Sequence, residues 1–244
     1  MIPKIIHYCW FGHAPLPLSA RKCIASWHTY FPDYEIKEWN EENFDIGIIP
    51  YVKEAYTAKK YAFVSDFARF WILYRYGGIY FDTDVEVIRS MDDIVSKGPF
   101  MGCEQNYMKS VFDFRINPGV GMGSIPGMGI YRELLDLYAG LHFVYSSTNL
   151  KIVVEHTTEL FMNHEIKKCG DGILYASGVY IYPADFFSPK SYVTKKIKIT
   201  ENTRTIHHFA GTWQPWWKKI LLKLWVPLSV KYPAATDTIK TFLK

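Results

Sequence analysis

Apolar residues along the chain fall into two kinds of run. Short continuous runs have the length of buried strands, and longer ones recur every three to four positions, as amphipathic helices do. Residues 4–10 read as a buried strand that breaks at Gly12, Pro15 and Pro17. Residues 19–27 then read as a helix and 34–39 as a second strand. A strand–helix–strand opening predicts a parallel, nucleotide-binding type of sheet. The clearest helix is predicted over 65–76, with Ser65 as cap and Gly77 and Gly78 as stop. Its stripe of Phe63, Phe67, Phe70, Trp71 and Tyr74 has helical spacing and reads as core. A short apolar strand, Ile79, Tyr80 and Phe81, runs into Asp82, Thr83 and Asp84, and extended structure resumes at 85–87. Further on, 128–141 and 157–167 look helical, and strands are expected at Ile181–Tyr182 and at Thr205 and Ile206. Gly119, Gly121 and Gly123 lack the spacing of a dinucleotide fingerprint and predict a turn beside a pocket.

Composition narrows the class. The 244 residues are 49% hydrophobic, enough for one large α/β domain or for one domain with a small appendage. A net charge of +4 gives no argument for a nucleic-acid partner. Cys9, Cys23, Cys103 and Cys169 form no Cys-x-x-Cys pair, so free thiols in a reducing, cytoplasmic setting are expected. No signal peptide is read at the start, and no apolar tract is long enough to span a bilayer. The aromatic content of 17% exceeds core needs and leaves rings for stacking on bases or sugars.

The chemistry concentrates at Asp82 and Asp84, just past a buried strand. Two carboxylates at spacing two can point to one side of extended backbone. There they repel unless a cation or proton intervenes, and Mn²⁺ or Mg²⁺ takes such oxygen ligands together with phosphates. The position beyond a strand's carboxyl end is where α/β sheets bind ligands. Asp66 and Arg69 share one helix face. They read either as a local ion pair or as a sugar-hydroxyl acceptor beside a planar fork for phosphate oxygens. Trp10 ends the first strand, where a base could stack or a core indole could pack. His7 alternates with Ile6 and reads as a structural hydrogen-bonder. Of His207 and His208 after Ile206, one can face a metal while the other faces the core. Asn117, before Pro118, is a candidate sugar contact.

The segment Ala62-x-x-Ser65-Asp66-x-x-Arg69-x-x-x-Leu73-x-x-x-Gly77-Gly78-Ile79-Tyr80-x-Asp82-x-Asp84 resembles the signature of the sugar-binding-region glycosyltransferases of family 32. That family includes bacterial capsular polysaccharide enzymes and fungal initiating mannosyltransferases. The opening Ile2-Pro3-Lys4-Ile5-Ile6-His7-x-x-Trp10 and the late His208-x-x-Gly211-Thr212-Trp213 match its first and last motifs. A more distant likeness is to the glucosylating domain of large clostridial toxins.

The resemblance implies a GT-A fold, α/β with a central mixed, mostly parallel sheet flanked by helices, over residues 1–213. It implies a metal-dependent, retaining hexosyl transfer from a nucleotide-sugar, UDP-linked for preference and GDP-mannose next. The acceptor would be a glycan or lipid-linked saccharide, as in capsular or other surface polysaccharide synthesis. It puts Trp10 on the nucleobase, with His7 in the same donor-side motif, and Asp66 and Arg69 on the donor sugar and phosphates. Tyr80 and Asp82 fall on the ribose or sugar, Asp84 and His208 on the metal with Asp82, and Trp213 over the leaving diphosphate. Gly211 stands where the toxins carry a serine, so that side-chain ligand is missing.

Residues 214–244 read as a basic aromatic extension. Its tract 216–226, opening at Trp216 and closing at Val226, has Trp217, Ile220, Leu221, Leu224 and Trp225 at helical spacing, with Lys218, Lys219 and Lys223 off the stripe. Two readings stand: a peripheral helix on the inner membrane face, or a helix packed on the domain with snorkelling lysines. Two rivals to the transferase reading are a phosphohydrolase with Asp82-x-Asp84 as its nucleophile loop, for whose later acidic pair Asp92 and Asp93 are badly spaced, and a non-catalytic sugar- or membrane-binding module.

Overall fold

The computed structural model describes residues 1–104, 114–145, 151–191 and 195–211. The amino-terminal half runs β1 (Ile5–Cys9), α1 (Leu18–Tyr30), β2 (Glu35–Trp39), α2 (Pro50–Thr57), α3 (Tyr61–Tyr76), β3 (Gly78–Tyr80), β4 (Val85–Val87), α4 (Asp92–Lys97) and β5 (Phe100–Glu104). Then follow β6 (Arg115–Ile116), β7 (Met122–Ser124), α5 (Gly129–Ala139), α6 (Val153–Met162), β8 (Lys167–Lys168), β9 (Leu174–Ala176), β10 (Val179–Tyr182), α7 (Ala184–Phe187) and β11 (Thr205–His207).

The main sheet has the order β2-β1-β3-β7-β5-β10-β9-β8, with β6 paired to β5. β1 pairs in parallel with both β2 and β3, and β5 with β10. Antiparallel β7 bridges the two parallel groups, and β9 turns the far edge back. This is the mixed, mostly parallel α/β sheet of the expected fold class. A separate two-stranded ribbon joins β4 to β11.

Strand alternation divides the core between the two faces of the sheet. Cys9, Tyr80, Met101 and Ile181 face the cluster that holds α2, α3, α5 and α6 through Val52, Phe67, Leu134 and Phe161. Ile6, Ile79, Phe100 and Tyr182 face the other cluster, with Trp27 of α1 and Phe187 of α7. α3 is the central helix of the first face, with Phe63, Phe67 and Phe70 buried as their spacing predicts. It begins one turn earlier than expected, at Tyr61. Ser65 therefore does not cap it, and its hydroxyl donates back to the Tyr61 carbonyl at 3.1 Å. Gly77 ends the helix at φ 63°, where a Cβ would come within 2.8 Å of the Ser124 carbonyl. The chain thus leaves α3 and enters β3 without a connecting loop. α6 also lies earlier than its apolar pattern indicates. Glu155 accepts the Ile152 N–H at 3.0 Å to start it at Val153, and Lys167 passes into β8.

Candidate active site

The site is built where α3, β3, β4, β11 and the turn before β7 converge. β3 ends at Tyr80, and the next residues leave the sheet, carrying Asp82 and Asp84 past its carboxyl end. The backbone fixes both. Asp82 N–H donates to the Gly119 carbonyl at 3.0 Å, and His208 N–H donates to the Asp84 carbonyl at 2.9 Å.

Side chains converge on Asp82 from the buried side. Tyr80 donates its hydroxyl to Asp82 Oδ1 at 3.1 Å, and Arg69 Nη2 stands 3.2 Å from the same oxygen. Arg69 also pairs with Asp66 at 3.1 Å, donates Nε to the Ser65 carbonyl at 3.0 Å, and lies with its guanidinium 5.0 Å from the Tyr80 ring centroid. It is 3% exposed, and the neighbouring negative groups hold it protonated against burial. Burial pushes the Asp66 carboxyl up to about 7, only partly offset by Arg69. The family resemblance directs this pair to donor sugar and phosphates. In the structure the guanidinium pairs with two carboxylates, Asp66 and Asp82.

Asp84 faces the other side. His207 Nε2 is 3.0 Å from its Oδ1, and Ala210 N–H donates to its Oδ2 at 2.7 Å. Burial would raise this carboxyl, but His207 and the Ala210 N–H hold it at about 2. His207, for its part, is raised by Asp84 despite burial. Asp82, Asp84 and His207 each offer a ligand atom, and these atoms lie within 4.8 Å of one another. Two carboxylate oxygens and one imidazole nitrogen suit a small divalent cation with room left for phosphate oxygens, so the residues fit Mn²⁺ or Mg²⁺. His207 Nδ1 is buried with no hydrogen-bond partner among the described residues.

His208 is the ligand expected from the motif. Its Nε2 is 2.8 Å from Glu86 instead, and its carbonyl accepts from Lys190 Nζ at 2.8 Å. His207, not His208, stands beside Asp84 because β11 pairs with β4 so that His207 lies opposite Val85. Strand register decides this, and it is not written in the local sequence.

His7 also departs from its donor-side place. It is 1% exposed, accepts from Trp39 Nε1 at 3.1 Å through Nδ1, and directs Nε2 to the Gly77 carbonyl at 3.1 Å. Both ring nitrogens are spent tying β1 to β2 and to the end of α3. Burial lowers it to about 4, so the ring is neutral. The structural hydrogen-bonding reading is the one these contacts match. Trp10 lies just past β1, half-buried, with its indole N–H donated to the Ala14 carbonyl at 2.5 Å. Asn117 is buried behind the Gly119 turn and donates Nδ2 to Glu104 at 2.9 Å. The glycine-rich turn does stand beside the site, and a Cβ on Gly119 would fall 2.0 Å from Asp82 Oδ2. Glu104 escaped the sequence reading because it follows an apolar strand with no motif around it. Trp213, Thr212 and the tract 214–244 lie outside the described residues.

Cys9 packs beside Arg69 and Tyr80, and burial pushes its thiol up to about 12, so it supplies no thiolate here. Asp92 and Asp93, badly spaced for the later acidic pair of a phosphohydrolase, are engaged elsewhere. Asp92 accepts from Ser90 at 2.8 Å and Asp93 pairs with Arg204 at 2.9 Å.

The fold sets an acidic pair and a histidine past a strand end, and comparison with known proteins bears on what such a site does. Residues 17–101 match the family model described as glycosyltransferase sugar-binding region containing DXD motif. An uncharacterized glycosyltransferase, L373, of Acanthamoeba polyphaga mimivirus is 28% identical over 205 residues, covering 78% of this chain and 77% of that protein. Inositol phosphoceramide mannosyltransferase 3 of Schizosaccharomyces pombe is 36% identical over 101 residues, 38% of this chain and 27% of that one. The chain is thus similar to less than a third of that curated mannosyltransferase's length. A solved structure, the PaToxG glycosyltransferase, aligns over 57% of this chain and 60% of its own at 19% identity with a TM-score of 0.45. These similarities support a glycosyltransferase, and Asp82-x-Asp84 lies inside the region that matches the DXD-containing family model.

Proposed function

We propose that this protein transfers a hexose from a nucleoside diphosphate sugar, with Asp82, Asp84 and His207 holding a divalent cation at the diphosphate. The observation that carries the reading is the convergence of those three ligand atoms within 4.8 Å at the end of β3. Mn²⁺ or Mg²⁺ bound there would neutralise charge on the departing diphosphate as a Lewis acid. The chain's own residues prepare the site. Arg69 and Tyr80 hold one oxygen of the Asp82 carboxylate, and the Ala210 N–H holds one oxygen of Asp84. Asp66 acts through Arg69. Trp10 is the candidate platform for the base, and its packing at the end of β1 supports that place.

Same-face attack by the acceptor hydroxyl, with retention of configuration, is the mechanism the family resemblance favours. No base is assigned to a residue, and the departing phosphate can take the acceptor proton. Two Schizosaccharomyces pombe relatives are named inositol phosphoceramide mannosyltransferases, which supports a mannosyl donor and a lipid-borne acceptor beside the UDP-sugar and polysaccharide reading. No helix among the described residues is long and apolar enough to cross a membrane. A peripheral contact would rest on the tract 216–226.

The test is a panel of UDP- and GDP-sugars incubated with the protein and Mn²⁺, with and without chelator. At least one sugar should be released or transferred only with metal. NMR of the first product from an α-linked donor should show an α-linkage. Turnover undiminished by chelator removes the metal from the proposal, and a β-linked product removes retention.

A further inference from the structure

Glu104 has no place in the donor-side chemistry above, yet it is a carboxylate only 7% exposed, at the last position of β5. Its two oxygens are divided. Oε1 accepts from Arg115 Nε at 3.1 Å and Oε2 from Asn117 Nδ2 at 2.9 Å. With the Asn117 amino group committed to Glu104, the amide can face only one way, and its Oδ1 accepts the Gly119 N–H at 2.8 Å. The Gly119 carbonyl then accepts the Asp82 N–H at 3.0 Å, and Gly119 presents bare backbone where a Cβ would lie 2.0 Å from Asp82 Oδ2. A chain of directed hydrogen bonds therefore leads from the carboxylate of β5 to the backbone of Asp82.

We infer that Glu104 is a positioning residue, which fixes the Asn117 amide so that the Gly119 turn clamps Asp82 in its metal-binding position. The inference rests on Asp82 being a ligand. The physical reason is donor–acceptor parity. Every link requires an acceptor at Glu104, and a buried donor facing a donor costs its full desolvation. Glu104→Gln preserves size but offers an amino group. Arg115 takes the remaining oxygen, so the Gln amino group faces Asn117. Asn117 must flip to meet it, and its amino group then opposes the Gly119 N–H. Asn117→Asp alone sets two carboxylates against each other. The double variant restores parity, because the carboxylate introduced by Asn117→Asp accepts from the Gln amino group with one oxygen and from Gly119 N–H with the other.

The experiment compares wild type, both single variants and the double variant of the full chain, first for melting temperature. Amide hydrogen exchange at Gly119 and Asp82 is followed by NMR, and Mn²⁺ affinity by calorimetry. Each single variant should accelerate exchange at Gly119 and weaken Mn²⁺ binding by about tenfold, the lower end of outer-shell effects on metal sites. The double variant should recover both to within about threefold, the coupling expected of residues in one network. Wild-type exchange at Gly119 in E104Q, or a double variant no better than the singles, overturns the inference. If wild type binds no Mn²⁺, the metal reading fails, and the exchange data alone decide whether Glu104 positions Asp82.

Discussion

At the residue scale, the sharpest contrast lies between neighbours. His207 and His208 are chemically identical, and register alone gives one to Asp84 and the other to Glu86. Removing the His207 imidazole should weaken Mn²⁺ binding by about 100-fold, equivalent to about 2.7 kcal/mol for one metal–ligand interaction. His208→Ala should change it by no more than about threefold, as expected when a part-exposed ion pair is lost. Calorimetric Mn²⁺ titration of the two variants checks this, and the reverse ranking returns the ligand to His208. His7 makes a different prediction. Its folded value of about 4 lies below its ordinary 6.5, so the unfolded chain binds the extra proton between those values. The stability from keeping the ring neutral is complete above pH 6.5 and is lost as pH falls toward 4, about 3 kcal/mol in all at 1.36 kcal/mol per unit. The melting-temperature gap between wild type and His7→Gln should shrink from pH 7.5 to pH 5. A constant gap contradicts the burial argument.

At the element scale, α3 and β3 form one device. The helix supplies Asp66 and Arg69, Gly77 turns the chain at φ 63°, and the strand delivers Tyr80, Asp82 and Asp84. The turn before β7 closes over it from the opposite side. A methyl group on Gly119 would collide with Asp82 Oδ2, and that carboxylate is already held by Arg69 and Tyr80. Gly119→Ala should therefore reduce transfer by about 100-fold, the cost of displacing a reacting constellation by about 1 Å. Its far-ultraviolet circular dichroism should be unchanged. Steady-state kinetics on the donor identified by the panel would show this, and wild-type turnover would mean that the turn yields freely. The order and type of α1, β1, β2, α3 and β3 were legible from apolar spacing and glycine punctuation. The starts of α3 and α6 were not, because helix ends depend on which backbone donors neighbouring segments satisfy.

At the scale of the molecule, the site spans segments far apart in sequence, so its occupancy should stabilise the whole domain. Mn²⁺ at about 100 times its dissociation constant should add about 2.7 kcal/mol and raise the melting temperature by about 5–10 °C for a chain of this size. Chelator should reverse the shift and Asp84→Ala should abolish it. An equal shift in that variant would place the cation elsewhere.

The sequence by itself determined the strand–helix–strand opening, the core stripe of α3 and the pair Asp82 and Asp84 past a buried strand, since each is a matter of local period and spacing. It also marked the turn at Gly119 and a late strand at Thr205 and Ile206. Only the tertiary structure decided that His207 meets Asp84, that Arg69 and Asp66 are buried against Asp82, and that His7 is spent on Trp39 and Gly77. It also decided that Glu104 stands behind Asn117. All four are contacts between segments brought together by strand register and sheet order, and side-chain partners across a sheet change with every one-residue shift of register.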